Sequence, residues 1–193
     1  MKFSTPFSAR VLTAVLFVAL ASPASAAEYK IDPGHSFINF RTKHLGFSWL
    51  VGRFNRFEGT MNYDPSAGPD AQNISLTIDA ASLDTNHAER DKHLRDRDFF
   101  NVAEHPTITF KSTAYSGDKN GGALTGDLTL LGVTKSISFA VRLVGEGEDP
   151  WGGYRAGFKG AYTLIRKDFG MGYNLGPAAR TVEIELLIEA IRQ

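Results

Sequence analysis

Cysteine is absent from the 193 residues. No disulfide framework can form, and no thiol stands at the N-terminal segment to accept a lipid anchor. An excess of either charge sign is missing too, since 21 Lys and Arg face 21 Asp and Glu. Nucleic-acid binding normally shows as a basic surplus gathered into a stripe, so no nucleic-acid partner is expected. Long apolar runs are also lacking. The longest, Val11 to Leu20, falls short of the ~20 residues of a membrane span, and no transmembrane segment is expected in the rest of the chain. Phosphate-binding glycine loops and the G-x-S-x-G nucleophile turn do not occur, and no two carboxylates are paired for acid/base work. No catalytic residue is assigned, and the expected protein is not an enzyme. Linkers, internal repeats and low-complexity tracts are missing, which leaves one domain.

What is present begins with a leader. Lys2 and Arg10 flank an apolar core, and Ala24-Ser25-Ala26 supplies small residues for cleavage before Ala27. Residues 1–26 are therefore expected to be a secretory signal peptide and 27–193 the exported domain. Without Lys2 and Arg10 that domain carries two more acids than bases.

Alternation of period two dominates the domain. Ile74, Leu76 and Ile78 alternate with polar residues, as do Ile137, Phe139, Val141 and Leu143, and Val182, Ile184, Leu186 and Ile188. Leu124, Leu128 and Leu130 repeat the pattern, as do Ala156, Phe158, Tyr162 and Leu164. Ile38 with Phe40, and Ile108 with Phe110, are shorter examples. The expected fold is all-β, an antiparallel barrel or sandwich of about eight strands with one short helical insert. Crossover helices for a parallel sheet are missing. Apolar parity changes between Phe54 and Phe57, which predicts a bulge near Asn55 and Arg56 and mildly favours closure into a barrel. Pro65 to Ala71 and Gly145 to Gly153 are expected as connections, with Gly121-Gly122 and Gly152-Gly153 as turns. Exposed edge strands would allow a homodimer, and closure would remove them.

A polar island, DTNHAERDKHLRDRDFF (Asp84 to Phe100), interrupts the alternation. Asn86 followed by Glu89 predicts a helix start, with Glu89/His93 and Asp91/Arg95 one turn apart. His87 and His93 lie six apart, so they do not form a metal pair on one helical face, and no metal site is assigned. Together with HSFINFRTKHLGFSWLVGRF (His35 to Phe54), GDLTLLGVTK (Gly126 to Lys135) and DPWGGYRAGF (Asp149 to Phe158), this island resembles the YceI-like family of periplasmic lipid-binding proteins. The resemblance covers the whole domain. It implies a lipocalin-like antiparallel β-barrel, periplasmic localisation, and as ligand a polyisoprenoid or similar amphiphilic lipid with a long apolar chain, with no cofactor.

A barrel of this size encloses either a packed core or a cavity for one ligand. Small residues sharing inward parity with aromatics, as in Ala156, Phe158, Gly160 and Tyr162 and in Phe110, Ser112 and Ala114, leave volume missing inside. The expected apolar lining is Ile38, Phe40, Ile78, Phe110, Leu128, Phe139, Phe158 and Tyr162. Candidates for the head group or mouth are His44, Trp49, His93, Arg95 and Arg166. The segment Leu45 to Leu50 is either a portal or a plug. Two other readings stand beside the carrier: a hydrolase or lipid-modifying enzyme using the polar island, and a ligand-free interaction module.

Overall fold

The computed structural model describes Met1, residues 26–64 and residues 73–193. The expected signal peptide and the Pro65 to Ala71 connection fall outside the described residues almost entirely. The strands are β1 (Ala27–Ile31), β2 (Phe37–His44), β3 (Ser48–Phe54), β4 (Phe57–Tyr63), β5 (Asn73–Asp79), β6 (Leu83–Asp84), β7 (Thr107–Asp118), β8 (Gly121–Leu130), β9 (Val133–Glu148), β10 (Tyr154–Ile165) and β11 (Thr181–Arg192). One α-helix, α1 (Ala88–Arg95), lies between β6 and β7.

These strands form a closed antiparallel barrel of eight staves. The C-terminal half of β11 pairs with β1 and its N-terminal half with β2, so β1 and β2 are two lengths of one stave. In the same way β4 pairs with β1 and β3 with β2 as lengths of the next stave, and on their other side β5 pairs with β4 and β6 with β3. β7 to β11 complete the ring. Each stave pairs with both neighbours over at least part of its length, which closes the ring; Ser48 to Gly52 of β3 and the upper lengths of β9 and β10 keep an unpaired edge.

Three staves break at one level, at residues 32–36, 55–56 and 80–82. The breaks are stitched by hydrogen bonds: Asn55 N to Ser82 O, 3.1 Å, and Asp79 N to Arg56 O, 3.0 Å. The parity change between Phe54 and Phe57 is thus a corner between two strands and not the bulge expected at Asn55 and Arg56. Phe54 and Phe57 both reach the core, one from each side of the corner.

Bulges occur elsewhere. Ser112 pairs with Gly126 and Ala114 with Thr125, which leaves Thr113 as the extra residue. Parity flips there, so Ala114, expected inside, faces solvent and Tyr115 turns inward. A second shift at Gly157/Phe158 leaves Val144 unpaired and exposed. Two expected turns are strand instead: β9 continues through Glu148, and Gly121-Gly122 open β8. At Gly52 an added Cβ would lie 2.4 Å from the Phe40 ring, so only glycine lets that ring lie across β3.

The polar island folds as a cap over one end, the upper end of the barrel. Helix α1 starts one residue later than expected. His87, not Asn86, is the N-cap, its Nδ1 accepting from Arg90 N at 3.3 Å, while Asn86 takes a left-handed φ of 62°. The expected helical charge pairs do not form. Buried Asp91 accepts from the Thr85 amide at 3.0 Å and from the Thr85 hydroxyl. Arg95 donates to Ala81 O at 2.8 Å and Leu83 O at 2.6 Å, fastening the helix to the barrel. His93 meets Asp98 at 3.1 Å.

Candidate functional site

Inward side chains from all eight staves line two apolar spaces. The upper, about 180 Å³, is bounded by Ile38, Phe40, Leu50, Ile78, Ile137 and Leu164 in the walls. Leu94, Phe99 and Phe100 close it from the cap. The lower, about 80 Å³, is bounded by Met61, Tyr63, Leu124, Leu143 and Phe158. Leu76, Phe110, Phe139 and Leu186 border both. The Phe110 and Phe139 rings, 5.6 Å between centroids, stand between the two spaces. A larger furrow of about 710 Å³ runs over the outer face past Arg41, Arg142, Lys159, Glu183 and Glu185. Its lining mixes these charges with Phe40, Val51, Tyr162 and Ile184, and it lies open along the outside of the wall, so a chain there would stay partly in water.

The wall has a seam. Pairing of β9 with β10 ends at Val141 opposite Gly160, and the strands separate above that level. Side chains bridge the gap, with the Phe139 and Tyr162 rings 6.2 Å apart. Side-chain rotamers change far faster than a sheet ladder opens, and here side chains, not backbone hydrogen bonds, close the wall.

One charge enters the upper space. Arg166 follows β10 and is 7% exposed. Its Nε donates to Ala179 O at 2.7 Å, and Nη1 and Nη2 both reach Tyr173 O at 3.2 Å. These bonds hold residues 166–180 as a strap across the upper end. Among the described residues no carboxylate pairs with Arg166. Burial pushes its guanidinium below the usual arginine range, and it remains charged. Two of its five N–H groups are left for another acceptor. A buried unpaired cation is costly, and an anionic or strongly accepting group in the cavity would relieve that cost.

The lower space has its own polar feature. Tyr63 Oη is buried with no hydrogen-bond partner among the described residues. Burial first, and then the nearby Glu146 carboxylate, push its phenol pKa up.

Of the residues expected as apolar ligand lining, Phe158 lies at the lower space, Ile38, Phe40, Ile78, Leu128 and Tyr162 at the upper, and Phe110 and Phe139 at both. The five head-group candidates share the upper end but not one site. Arg166 borders the cavity. His44 is exposed at the rim. Trp49 lies on the outer face, stacked under Arg41 and Lys43 with 4.6 and 4.9 Å to its ring centroid. His93 packs outside the cavity against Phe99 and Tyr173, and Arg95 is committed to backbone carbonyls. Leu45 and Phe47 are exposed at a hairpin tip and plug nothing, while Leu50 of the same segment lines the upper space. The lining from the cap was missed; its signal was the Phe99-Phe100 pair ending the charged run.

Asp32, His35 and Glu189 bring their ligand atoms within 4.8 Å of one another. Arg155 already serves these carboxylates, at 2.9 Å to Asp32 and 2.6 Å to Glu189, and binds Asp149 at 2.8 Å. The cluster is an ion-pair network on the lower outer wall.

The family model for the YceI-like domain matches residues 29–190. A UPF0312 protein of Pseudomonas aeruginosa is 52% identical over 188 residues, covering 96% of this chain and 97% of the relative. The structure of a Campylobacter jejuni YCEI protein superimposes with a TM-score of 0.71 at 28% identity, covering 78% of this chain and 90% of that one. A polyisoprenoid binding domain from Saccharophagus degradans shares the fold, with a TM-score of 0.63 at 19% identity over 87% of this chain and 99% of that one.

Proposed function

The chain belongs to the YceI-like domain family, and from the interior it builds we propose that it binds a polyisoprenoid or similar amphiphilic lipid inside the barrel and releases it unchanged. The observation that carries this reading is the apolar interior shared by the two spaces, entered at its upper end by one buried cation without a counter-charge. Apolar walls favour a chain by about 0.8 kcal/mol per methylene removed from water, and Arg166 meets the head through its two remaining N–H groups. The Saccharophagus domain of the same fold is described as binding polyisoprenoid, which agrees with this ligand class.

Space sets a condition. An apolar cavity of ~150 Å³ accommodates benzene, so the upper space as it stands takes a short segment of chain. A longer chain enters as the Phe110, Phe139 and Tyr162 rings rotate and the two spaces join. Residues 1–26 act in this reading as the leader that exports the carrier to the periplasm. Among the described residues no helix is long and apolar enough to cross a membrane.

Native mass spectrometry of protein purified from its own cells, followed by denaturation and identification of the molecules released, tests the proposal. A stoichiometric lipid of defined mass is expected. A bare protein that also refuses added prenyl and acyl lipids would sink it.

A further inference from the structure

The β2–β3 hairpin carries apolar surface that the barrel does not use. Thr42 Oγ1 donates to Thr181 O at 2.9 Å, at the start of β11, so Lys43 to Ser48 project beyond the neighbouring strand. At ~3.3 Å per residue the tip stands roughly 10 Å clear. Phe47 is 90% exposed and Leu45 63%. The tip is a three-residue loop, Leu45 to Phe47, built on a β-turn in which Phe47 N donates to His44 O at 3.0 Å and both central residues, Leu45 (φ 54°) and Gly46 (φ 86°), are left-handed. Turns of this kind favour Asn or Asp before the glycine, and a leucine there is strained. The residue at the apex therefore serves neither the turn nor the core.

Charge identifies the partner. From Phe37 to Phe54 the chain has Arg41, Lys43, His44 and Arg53 and no carboxylate, within a chain whose charges otherwise balance. Glu183 of β11 pairs with Arg41 at 2.6 Å, and Lys43 has no ion-pair partner among the described residues. Trp49, stacked under both cations, has the apolar body and polar edge suited to a lipid–water boundary. The opposite end also exposes apolar groups, Trp151 and Val144, but sets them among Glu146, Glu148 and Asp149. Arg155 neutralises Asp149 and sits 5.8 Å over the Trp151 ring, but Glu146 and Glu148 have no ion-pair partner among the described residues, so anionic lipid favours the hairpin.

We propose that the β2–β3 hairpin docks the protein onto an anionic phospholipid bilayer, with Leu45 and Phe47 inserted and Lys43 and Arg41 against the headgroups. Docking sets the cap end against the membrane, because Thr42 and Leu50 at the base of the same hairpin line the upper cavity. This stands apart from the carrier reading, since a barrel holding no lipid could still dock.

The test is sedimentation of the protein, purified as its cells process it, with vesicles of phosphatidylcholine alone and of phosphatidylcholine mixed with phosphatidylglycerol. Binding to the mixed vesicles alone is expected. Phe47→Ser should weaken it by about tenfold and Lys43→Gln by about fivefold at low salt. Leu45→Asn should weaken it while raising the melting temperature, which general misfolding would not do. In W151F protein, brominated acyl chains should quench Trp49; in W49F protein they should leave Trp151 bright. Equal binding to both vesicle types, no binding, or quenching of Trp151 instead would overturn the proposal. So would a dimer in lipid-free buffer that Leu45→Asn converts to monomer, since the tip would then serve a second copy. Docking by a protein that carries no co-purified lipid and refuses added prenyl and acyl lipids would leave this inference standing and remove the carrier reading.

Discussion

Phe139→Ala tests whether the ring divides the interior. Phe139 is 8% exposed, faces Phe110 at 5.6 Å and Tyr162 at 6.2 Å, and borders both spaces. Truncating a buried phenylalanine costs about 3–5 kcal/mol. Because this ring already looks onto empty volume on two sides, it has fewer contacts to lose, and about 3 kcal/mol is expected. With a urea m-value of about 2 kcal/mol per molar, the midpoint should fall by about 1.5 M. The same deletion should lengthen the preferred ligand. If the joined space admits three or four more methylenes, they contribute about 3 kcal/mol, or roughly a hundredfold in Kd. A series of prenyl lipids of increasing length, titrated into wild type and variant with denaturation midpoints read at saturating ligand, measures both effects together. An unchanged midpoint would mean that the ring is not packed inside. A lowered midpoint with unchanged length preference would mean that it packs inside but does not partition the cavity.

Arg166→Met should weaken lipids with phosphate or other accepting heads by about ten- to a hundredfold, the value of a charge-assisted hydrogen bond. Chain-only analogues should keep their affinity, and titration calorimetry of the two ligand classes separates these outcomes. Arg95→Ala leaves the Ala81 and Leu83 carbonyls without their donor, so urea stability should fall by about 2 kcal/mol. Amide hydrogen exchange should rise in residues 85–106 before it rises in the barrel. Asp32 supplies a pH dependence. Its carboxyl is held at about 2, below the usual 3.8, first by the hydrogen bond with His35 and then by that with Arg155. A depressed carboxyl contributes stability that is complete above the unfolded value and fades as pH drops through the folded one. Solvent screens most of the gain, leaving about 1 kcal/mol, lost between about pH 4 and pH 2. Asp32→Asn should flatten that part of a stability–pH curve, and an unchanged curve would locate the acid sensitivity elsewhere.

Period-two alternation disclosed the inner faces because each strand shows one side to solvent. Ile74, Leu76 and Ile78, or Val182 to Ile188, needed no partner to be placed. Features that depend on two strands were hidden. Thr113 becomes an extra residue only when β8 lies beside it, so Ala114 was assigned the wrong face. The Asn55-Arg56 corner has the same parity signature as a bulge, and only the coincident breaks at residues 32–36 and 80–82 tell them apart. Trp49 was a different case. Leu50 and Phe54 already fixed the inward parity of β3, so an odd-numbered tryptophan had to face out, and aromatic character alone suggested a mouth. For Arg166 the position at a strand end was legible, but its isolation from every carboxylate among the described residues depends on the path of residues 166–180, a tertiary property.

The two ends of the barrel are built for different stabilities. Below, Tyr29, Met61, Tyr63, Ala156 and Ala190 pack into a compact cluster, and Arg155 ties Asp32, Asp149 and Glu189 across three segments of the outer wall. Above, the larger apolar cluster packs under Leu94 and Phe100 of the cap, but β9 and β10 have parted, and Arg166 has no carboxylate partner among the described residues. Local opening follows the least stabilised contacts, so the upper end is where the interior meets its surroundings. The proposed head-group contact, the side-chain seam and the exposed hairpin all lie there. In the proposed carrier a lipid head that satisfies Arg166 would also stabilise the strap it anchors, since the same guanidinium holds Tyr173 and Ala179. Tyr173 packs in turn on Phe99 of the cap, with ring centroids 5.0 Å apart. Filling the cavity would thus tighten the strap and cap together, and emptying it would loosen both, which in the proposed carrier couples occupancy to the openness of the upper end.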